Sequence, residues 1–175
     1  MIFCIVLIAL SILSDQVSKY LVSTGMEVGE TIALIENVFH FTYVQNRGAA
    51  FGMLADHRWV FMVLSVLGIG AMIVWLVHEK PKSRWLQAAL SLVIGGGIGN
   101  MIDRIVLGYV VDFIDCRFID FYVFNIADSC VCVGCGMFVL AVILEEVRSV
   151  KAKKEQTPEE EQSGDETVGE QNGNE

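Results

Sequence analysis

The sequence FNIADSCVCVGCGMFVLAVIL, residues 124–144, has the length and apolar character of a membrane-spanning helix but carries a carboxylate, Asp128, near its start. About 20 apolar residues in an α-helix are needed to cross the roughly 30 Å hydrocarbon core of a bilayer. A charged side chain costs about 2.5–3.5 kcal/mol at the centre of that core and less near its edge. The segment therefore predicts a transmembrane helix in which the position of Asp128 needs a specific reason.

The rest of the chain predicts an α-helical integral membrane protein with four transmembrane helices. Hydrophobic residues make up 54% of the 175 residues, and the mean hydropathy of +0.54 is too high for an ordinary soluble domain. The predicted spans cover residues 2–22, 59–77, 85–102 and 125–144. The first span is predicted to be retained, because it lacks the basic start and the small-residue cleavage site of a signal peptide.

Basic residues predict the orientation of these helices. Residues 78–84 and 148–154 together contain seven lysines and arginines, whereas the much longer connectors 23–58 and 103–124 contain four. By the positive-inside rule, both termini are predicted to be cytoplasmic and the two long connectors extracytoplasmic.

The first long connector is more than a loop. Residues 31–44 are rich in β-branched and aromatic side chains, and residues 117–124 have a similar composition. Such segments are typical of strands. A small extracytoplasmic β-sheet is therefore predicted between helices 1 and 2.

The acidic charge of the chain is concentrated at its C-terminal end. The formal net charge is −9, but residues 155–175 contain eight acids and no base, which leaves about −1 for the remainder. So polar a segment cannot bury apolar surface, and it is predicted to be disordered. The chain is thus divided into a membrane domain, residues 1–147, and a basic, then acidic, disordered cytoplasmic tail, residues 148–175.

The polar clusters of the membrane domain all fall on its predicted extracytoplasmic side. They are Asp15–Lys19, Asn46–Gly52, Gly99–Arg104, Val110–Asp115 and Asp128. No Ser-His-Asp order or His-Glu-x-x-His motif is present, and the closely spaced cysteines of the last span cannot converge on a metal ion. Two carboxyl groups held close together cannot both ionise, so one keeps a proton while the other activates water. Hydrolysis by paired carboxylates is the chemistry that this composition favours.

Several of these residues also have a structural explanation. The alternatives are a helix cap at Asn125 or Asp128, a helix-surface ion pair of Asp15 with Lys19, and an interfacial ion pair of Asp103 with Arg104. Considered singly, three acids favour the structural explanation: Asp15, Asp115 and Asp120. Asp103 favours neither the structural nor the functional explanation. Asp112 and Asp128 favour a functional one, because both lie in apolar surroundings.

The glycine-rich sequence GGGIG, residues 95–99, lies inside the third span. It has neither a preceding strand nor the Gly-Lys-Ser/Thr of a phosphate-binding loop. Gly95 and Gly99, four residues apart, instead predict a face on which helices pack closely.

A proton-coupled transporter or a channel subunit is the main alternative class. Such a protein is expected to carry charges in the middle of its spans. Spans 59–77 and 85–102 contain none, and the acids gather at one side of the membrane. A purely structural membrane protein would not need desolvated acids, so an enzyme is favoured.

Four motifs in this order resemble the lipoprotein signal peptidase family, also called signal peptidase II. They are D-Q-x-S-K (Asp15–Lys19), N-x-G-A-A-F (Asn46–Phe51), G-N-x-x-D-R-x-x-x-G-x-V-V-D-F (Gly99–Phe113) and F-N-x-A-D-S (Phe124–Ser129). Together they extend over most of residues 1–147 with compatible spacing. The acidic tail has no counterpart in the family pattern.

The resemblance implies a monomeric aspartic endopeptidase of the bacterial cytoplasmic membrane, with its active site at the extracytoplasmic face. Its substrate would be a prolipoprotein with a diacylglyceryl cysteine, cut on the N-terminal side of that cysteine. Membrane lipid is the other partner, and no cofactor, metal or nucleic acid is implied. The implied catalytic pair is Asp112 and Asp128, with supporting residues Asn46, Gly48, Asn100, Asp103, Arg104 and Asn125 and structural residues Asp15 and Lys19.

Overall fold

The computed structural model describes residues 1–48 and 58–165, which contain four α-helices and three strands. In chain order these are α1 (Ile2–Gly25), β1 (Thr31–Ile35), β2 (Phe39–Asn46), α2 (Arg58–Glu79), α3 (Arg84–Val106), β3 (Val110–Asp115) and α4 (Ile126–Asp165). Residues 49–51 of the second motif and the end of the predicted tail, residues 166–175, lie outside the described part.

The four predicted transmembrane helices are confirmed. Each helix contains a stretch that is long and apolar enough to cross a bilayer: Ile2–Gly25, Met62–Glu79, Arg84–Val106 and Ile126–Val147. A helix satisfies its own backbone N–H and C=O groups, as the lipid interior requires. The chain is therefore a multi-pass membrane protein, and the polar side chains that its helices bury need partners within the protein.

The glycines of α3 let three other helices approach its backbone. A methyl group added at Gly95 would meet Ser11 of α1, one at Gly96 would meet Ala127 of α4, and one at Gly97 would meet Ile69 of α2. Small residues allow such close approach between membrane helices, whose association depends on packing. The predicted packing face is confirmed and extends around α3.

We expect Gly96→Ala to destabilise the protein and Gly136→Ala, in α4, to leave it unchanged or slightly more stable. A methyl group at Gly96 would collide with the backbone carbonyl group of Ala127, whereas Gly136 has nothing within 4 Å. Overpacking costs about 1–3 kcal/mol, while replacing a glycine in a helix gains up to about 1 kcal/mol. Thermal unfolding in detergent measures both variants, and equal midpoints would contradict close packing of α3 against α4.

The small sheet is antiparallel, with the strand order β1–β2–β3. β1 and β2 form a hairpin that begins with the predicted strand region, residues 31–44, and ends two residues beyond it, so a sheet is confirmed there. β3 is an addition to that prediction, because it comes from the connector between α3 and α4. Its apolar pattern is interrupted by Asp112, which makes the strand hard to recognise from sequence.

Residues 117–124 are not a strand, although their composition resembles one. Arg117–Ile119 form a 3₁₀ turn, and Asp120 has a left-handed backbone (φ 49°) that interrupts an extended chain. Phe124 then forms an isolated antiparallel bridge with Ile114 of β3. The segment is therefore a turn that returns the chain to the sheet just before α4 begins.

α4 continues beyond its membrane-spanning stretch to Asp165, so the backbone of residues 148–165 is helical where disorder was expected. Lysine, alanine, glutamate and glutamine favour helices, and extending an existing helix is much easier than starting one. A low apolar content excludes a packed core for this segment, but it does not prevent a helix from extending out of a transmembrane span.

Candidate active site

The start of α4 lies beside β3 because of backbone hydrogen bonds between Ile114 and Phe124. The N–H of Ile114 donates to the oxygen of Phe124 (2.7 Å), and the N–H of Phe124 donates to the oxygen of Ile114 (3.0 Å). This pairing brings the first turn of α4, which carries Asp128, next to the strand that carries Asp112.

Asn125 and Asp128 cap α4 reciprocally. Oδ1 of Asn125 accepts from the N–H of Asp128 (2.9 Å), and Oδ2 of Asp128 accepts from the N–H of Asn125 (3.2 Å). This is the capping-box arrangement, with Asn125 as the cap. Oδ1 of Asp128 is not used by the cap and accepts from Nδ2 of Asn100 in α3 (2.7 Å). The capping explanation is therefore correct, but the cap uses only Oδ2 of Asp128 and leaves Oδ1 to accept from Asn100.

Asp112 is buried in β3, with 2% of its surface exposed. Asn46 at the end of β2 pairs with Val110, so its side chain lies diagonally across from Asp112 on the same face of the sheet. Nδ2 of Asn46 donates to Oδ2 of Asp112 (2.9 Å), and Nδ2 of Asn125 donates to Oδ1 (2.7 Å). Burial raises the pKa of Asp112 to about 6; the charge of Asp128 adds to the rise, and these two hydrogen bonds oppose it.

The three side-chain amides that donate to this carboxylate pair are each oriented by a donor to their own oxygen. These donors are the N–H of Gly48 for Asn46 (3.0 Å), the N–H of Asp128 for Asn125 (2.9 Å) and Nζ of Lys19 for Asn100 (2.9 Å). An amide whose oxygen faces a donor must turn its NH₂ group the other way. As a result, three oxygens of the pair accept from these amides, and the fourth, Oδ2 of Asp128, accepts from the backbone N–H of Asn125.

Asp15, Lys19 and Asp103 form a buried ion cluster next to the pair. Nζ of Lys19 lies 2.9 Å from Oδ2 of Asp15 and 3.0 Å from Oδ2 of Asp103, and all three side chains are at most 4% exposed. The predicted pair of Asp15 with Lys19 exists, but it is not on a helix surface. It is buried because this face of α1 packs against α3, where Gly99 leaves room for Asp15.

This cluster also joins four elements of the fold. Oδ1 of Asp15 accepts from the N–H of Ala127 in α4 (2.9 Å), and Oδ2 of Asp103 accepts from the N–H of Val111 in β3 (3.1 Å). The buried carboxylates of α1 and α3 therefore serve as acceptors for two backbone N–H groups of other elements. Breaking a buried ion pair costs about 3–5 kcal/mol, because it leaves an uncompensated charge.

Gln16 belongs to the same cluster, and sequence reasoning missed it. Its Nε2 lies within hydrogen-bond distance of three acceptors: Oδ1 of Asp103 (2.9 Å), the backbone oxygen of Gly99 (3.2 Å) and Oδ2 of Asp15 (3.2 Å). The position of Gln16 could have indicated this role. It directly follows Asp15 and precedes Lys19 by three residues, and a transmembrane helix otherwise has little need for an amide side chain.

The charge of Arg104 acts on the carboxylate pair, and Arg104 does not form the predicted ion pair with Asp103. Its Nη1 donates to the backbone oxygen of Asn100 (3.1 Å), and its charge interacts electrostatically with Asp128, Asp112 and Asp103. Asp103 takes Lys19 as its ion-pair partner instead. The reason is geometric, because consecutive residues of a helix point in different directions.

Asp115 lies away from the pair, on the sheet. It accepts hydrogen bonds from Thr42 (2.7 Å) and Arg117 (3.1 Å). Burial alone would raise the pKa of Asp115, but these bonds and the Arg117 charge lower it below its ordinary value. Asp120 takes the left-handed position after the 3₁₀ turn. The structure supports a structural explanation for both residues.

The site combines a buried carboxyl group, Asp112, with a partly buried one, Asp128, and the charge of Arg104 acts on both. Within residues 1–48 and 58–165, no group of three or more His, Cys, Asp or Glu side chains is arranged to hold a metal ion. A pair that keeps one proton can take a proton from water through one carboxylate and donate to a carbonyl oxygen through the other carboxyl. The site is therefore suited to acid–base hydrolysis.

The fold is similar to two solved bacterial membrane enzyme structures, determined by the in meso method at 2.3 and 1.9 Å resolution. Their TM-scores are 0.78 and 0.74, at 32% and 33% sequence identity. The alignments cover 82% and 79% of this chain and 88% and 91% of the solved chains. Together with the paired carboxylates, this similarity defines the class: a multi-pass membrane enzyme.

Sequence comparison identifies the family within that class. The model of the signal peptidase (SPase) II family matches residues 7–144. A lipoprotein signal peptidase of Streptococcus thermophilus is 47% identical over 132 residues, 75% of this chain and 86% of the relative. One of Symbiobacterium thermophilum is 43% identical over 144 residues, 81% and 95% of the two chains. The chain belongs to the signal peptidase II family and is a peptidase.

Proposed function

We propose that this protein is an aspartic endopeptidase that removes the signal peptide from diacylglyceryl-modified prolipoproteins, cutting on the N-terminal side of the lipidated cysteine. The observation that carries the proposal is the pair Asp112 and Asp128, two carboxyl groups that share Asn125 as a hydrogen-bond partner. The relatives named lipoprotein signal peptidase support the substrate class.

In the proposed reaction, the pair holds one proton between its two carboxyl groups. The ionised carboxylate takes a proton from water, whose oxygen attacks the scissile carbonyl carbon, while the protonated carboxyl donates to the carbonyl oxygen. The tetrahedral intermediate then breaks its C–N bond, and the proton taken from water passes to the departing nitrogen of the lipidated cysteine. The carbonyl oxygen returns its proton to the pair as the new carboxylic acid forms.

The remaining residues have supporting parts in this proposal. Asn46, Asn100 and Asn125 orient the carboxylates, Gly48 acts through its backbone N–H, and the charge of Arg104 lies next to the pair. Asp15, Lys19 and Asp103 hold α1 against α3. The enzyme needs no cofactor, metal or nucleic acid and acts as a monomer.

The direct test is cleavage of a diacylglyceryl-modified prolipoprotein by the purified protein in micelles. Mass spectrometry should show a single cut before the lipidated cysteine. Asp112→Asn, prepared in the same way, controls for contaminating peptidases. A folded wild-type protein that leaves this substrate intact would overturn the proposal.

We expect cleavage to weaken as the pH rises through about 6. Burial raises the pKa of Asp112 to about 6, so the proton needed by the pair is lost above that pH, and kcat/KM should fall. The apparent value belongs to the pair as a unit. Asn46→Ala should move this limb to higher pH, because the Asn46 hydrogen bond lowers the pKa of Asp112. A profile that is flat between pH about 5 and 8 would contradict this assignment.

We place the enzyme in the bacterial cytoplasmic membrane, with both termini cytoplasmic and the carboxylate pair at the extracytoplasmic face. Seven basic residues in residues 78–84 and 148–154 support this orientation. The peptidase domain is residues 1–147, and residues 148–175 lie outside it on the cytoplasmic side.

A reporter fused after Arg148 is expected to signal a cytoplasmic location, and one inserted after Glu36, between β1 and β2, an extracytoplasmic one. The physical reason is the excess of lysine and arginine on one side of the spans. Activity of paired reporters, one active only inside and one only outside, measures this. An outside signal after Arg148 would reverse the orientation.

A further inference from the structure

Lys19 contacts the amide that donates a hydrogen bond to Asp128. We propose that Lys19 is a positioning residue for the hydrolytic reaction: its ammonium group holds Oδ1 of Asn100 so that Nδ2 of Asn100 donates to Asp128. This inference rests on the proposed function of the carboxylate pair and goes beyond the structural part of Lys19 in the ion cluster.

The ammonium group of Lys19 has three N–H bonds and three acceptors. These are Oδ2 of Asp15 (2.9 Å), Oδ2 of Asp103 (3.0 Å) and Oδ1 of Asn100 (2.9 Å). An ammonium group can only donate, so the atom of Asn100 that faces it must be the oxygen. Because the two carboxylates hold Lys19 in place, the NH₂ group of Asn100 is turned toward Asp128, 2.7 Å from its Oδ1.

Asn100 differs from the other two amides in how it is oriented. The oxygens of Asn46 and Asn125 accept from backbone N–H groups, which a side-chain substitution does not remove. Among these three amides, Asn100 has its oxygen held by an ionised side chain. A single substitution at Lys19 can therefore change the orientation of the Asn100 amide.

Asn125 cannot replace Lys19 without a loss elsewhere. Its Nδ2 lies 3.0 Å from Oδ1 of Asn100, but also 2.7 Å from Oδ1 of Asp112 and 3.3 Å from the oxygen of Val111. An amide nitrogen has two hydrogens for these three acceptors. Without Lys19, Asn125 could hold Oδ1 of Asn100 only by weakening the hydrogen bond that it donates to Asp112.

A turned Asn100 amide changes the balance between the two carboxyl groups. Its oxygen would face Oδ1 of Asp128, and two acceptors can meet there only with a proton between them. The charged groups around Asp128, which are Asp112 in β3 and Arg104 in α3, remain in place. The pair as a unit then holds its protons more strongly, so the acidic limb of the pH–rate profile should move to higher pH.

The test compares Lys19→Met with Gln16→Met. Both remove a donor to Asp15 and Asp103, but Lys19 also donates to Asn100. Per folded molecule, Lys19→Met should lower kcat about tenfold, the effect of one hydrogen bond to a charged group. KM should be unchanged and the acidic limb shifted, while Gln16→Met should match wild type. If Lys19→Met does not fold, the double variant with Asp15→Asn removes one of the two carboxylates that lose their cation and so restores the net charge of the cluster.

A second background separates orientation from the direct effect of the Lys19 charge. In Asn100→Leu, adding Lys19→Met should cause no further shift of the acidic limb. A full shift in that background, an unchanged kcat in Lys19→Met, or an equal loss in Gln16→Met would each overturn the proposal for Lys19. Wild-type protein that fails to cleave the lipidated precursor would instead overturn the proposed function.

Discussion

Asp112→Asn and Asp128→Asn are each expected to lower cleavage roughly 10²–10⁴-fold while the protein stays folded and inserted, the range that a lost proton-transfer group produces. Asparagine keeps the size of the side chain and one accepting oxygen, but it cannot take up, share or return a proton. Each residue accepts two hydrogen bonds in the site, and the amide oxygen can keep one of them.

Asp115→Asn is the matched control for this experiment. Asp115 belongs to the same strand as Asp112, but it accepts from Thr42 and Arg117 and takes no part in the pair. Turnover of lipidated precursor, normalised to folded protein by thermal unfolding in detergent, measures all three variants. We expect Asp115→Asn to cleave at close to the wild-type rate. Loss of activity in Asp115→Asn equal to that in Asp112→Asn would show that the assay reports sheet integrity and not proton transfer.

Unlipidated prolipoprotein is expected to be cleaved at least about a hundredfold less efficiently than the diacylglyceryl form. Each buried methylene of an acyl chain contributes about 0.8 kcal/mol to membrane binding, so the modified cysteine stays in the bilayer. In our proposal, the signal peptide then enters sideways between the spans, with its scissile bond at the depth of Asp128, in the first turn of α4. The acyl chains hold the bond at that depth, and a peptide without them is free to lie elsewhere.

The measurement compares kcat/KM for both forms of one precursor in the same micelles. Asp112→Asn, run on each form, subtracts cleavage by other peptidases. Asn46→Ala should weaken cleavage of the lipidated form without unfolding the protein, because Asn46, at the end of β2, donates to Asp112. Equal rates for the two forms would mean that the lipid is not recognised, and the model of sideways entry would have to be abandoned.

Much of this architecture follows from the order of residues alone. Hydropathy is a sum over neighbouring residues, so four spans are predicted within a few residues of their observed ends. The acids that the sequence singles out, Asp112 and Asp128, lie together in the structure because β3 and the start of α4 are joined through Phe124. The glycines that predict close packing in α3 also meet neighbouring helices as expected.

Other features depend on which side chains face each other across elements, and only the tertiary structure decides these. Asp103 could pair with Arg104 beside it or with Lys19 in α1, and packing of α1 against α3 selects Lys19. Gln16 joins the same cluster for the same reason. The NH₂ group of Asn100 faces Asp128 because a cation from another helix holds its oxygen. A sequence contains the donors and acceptors, but the orientation of an amide is set by the groups that surround it in three dimensions.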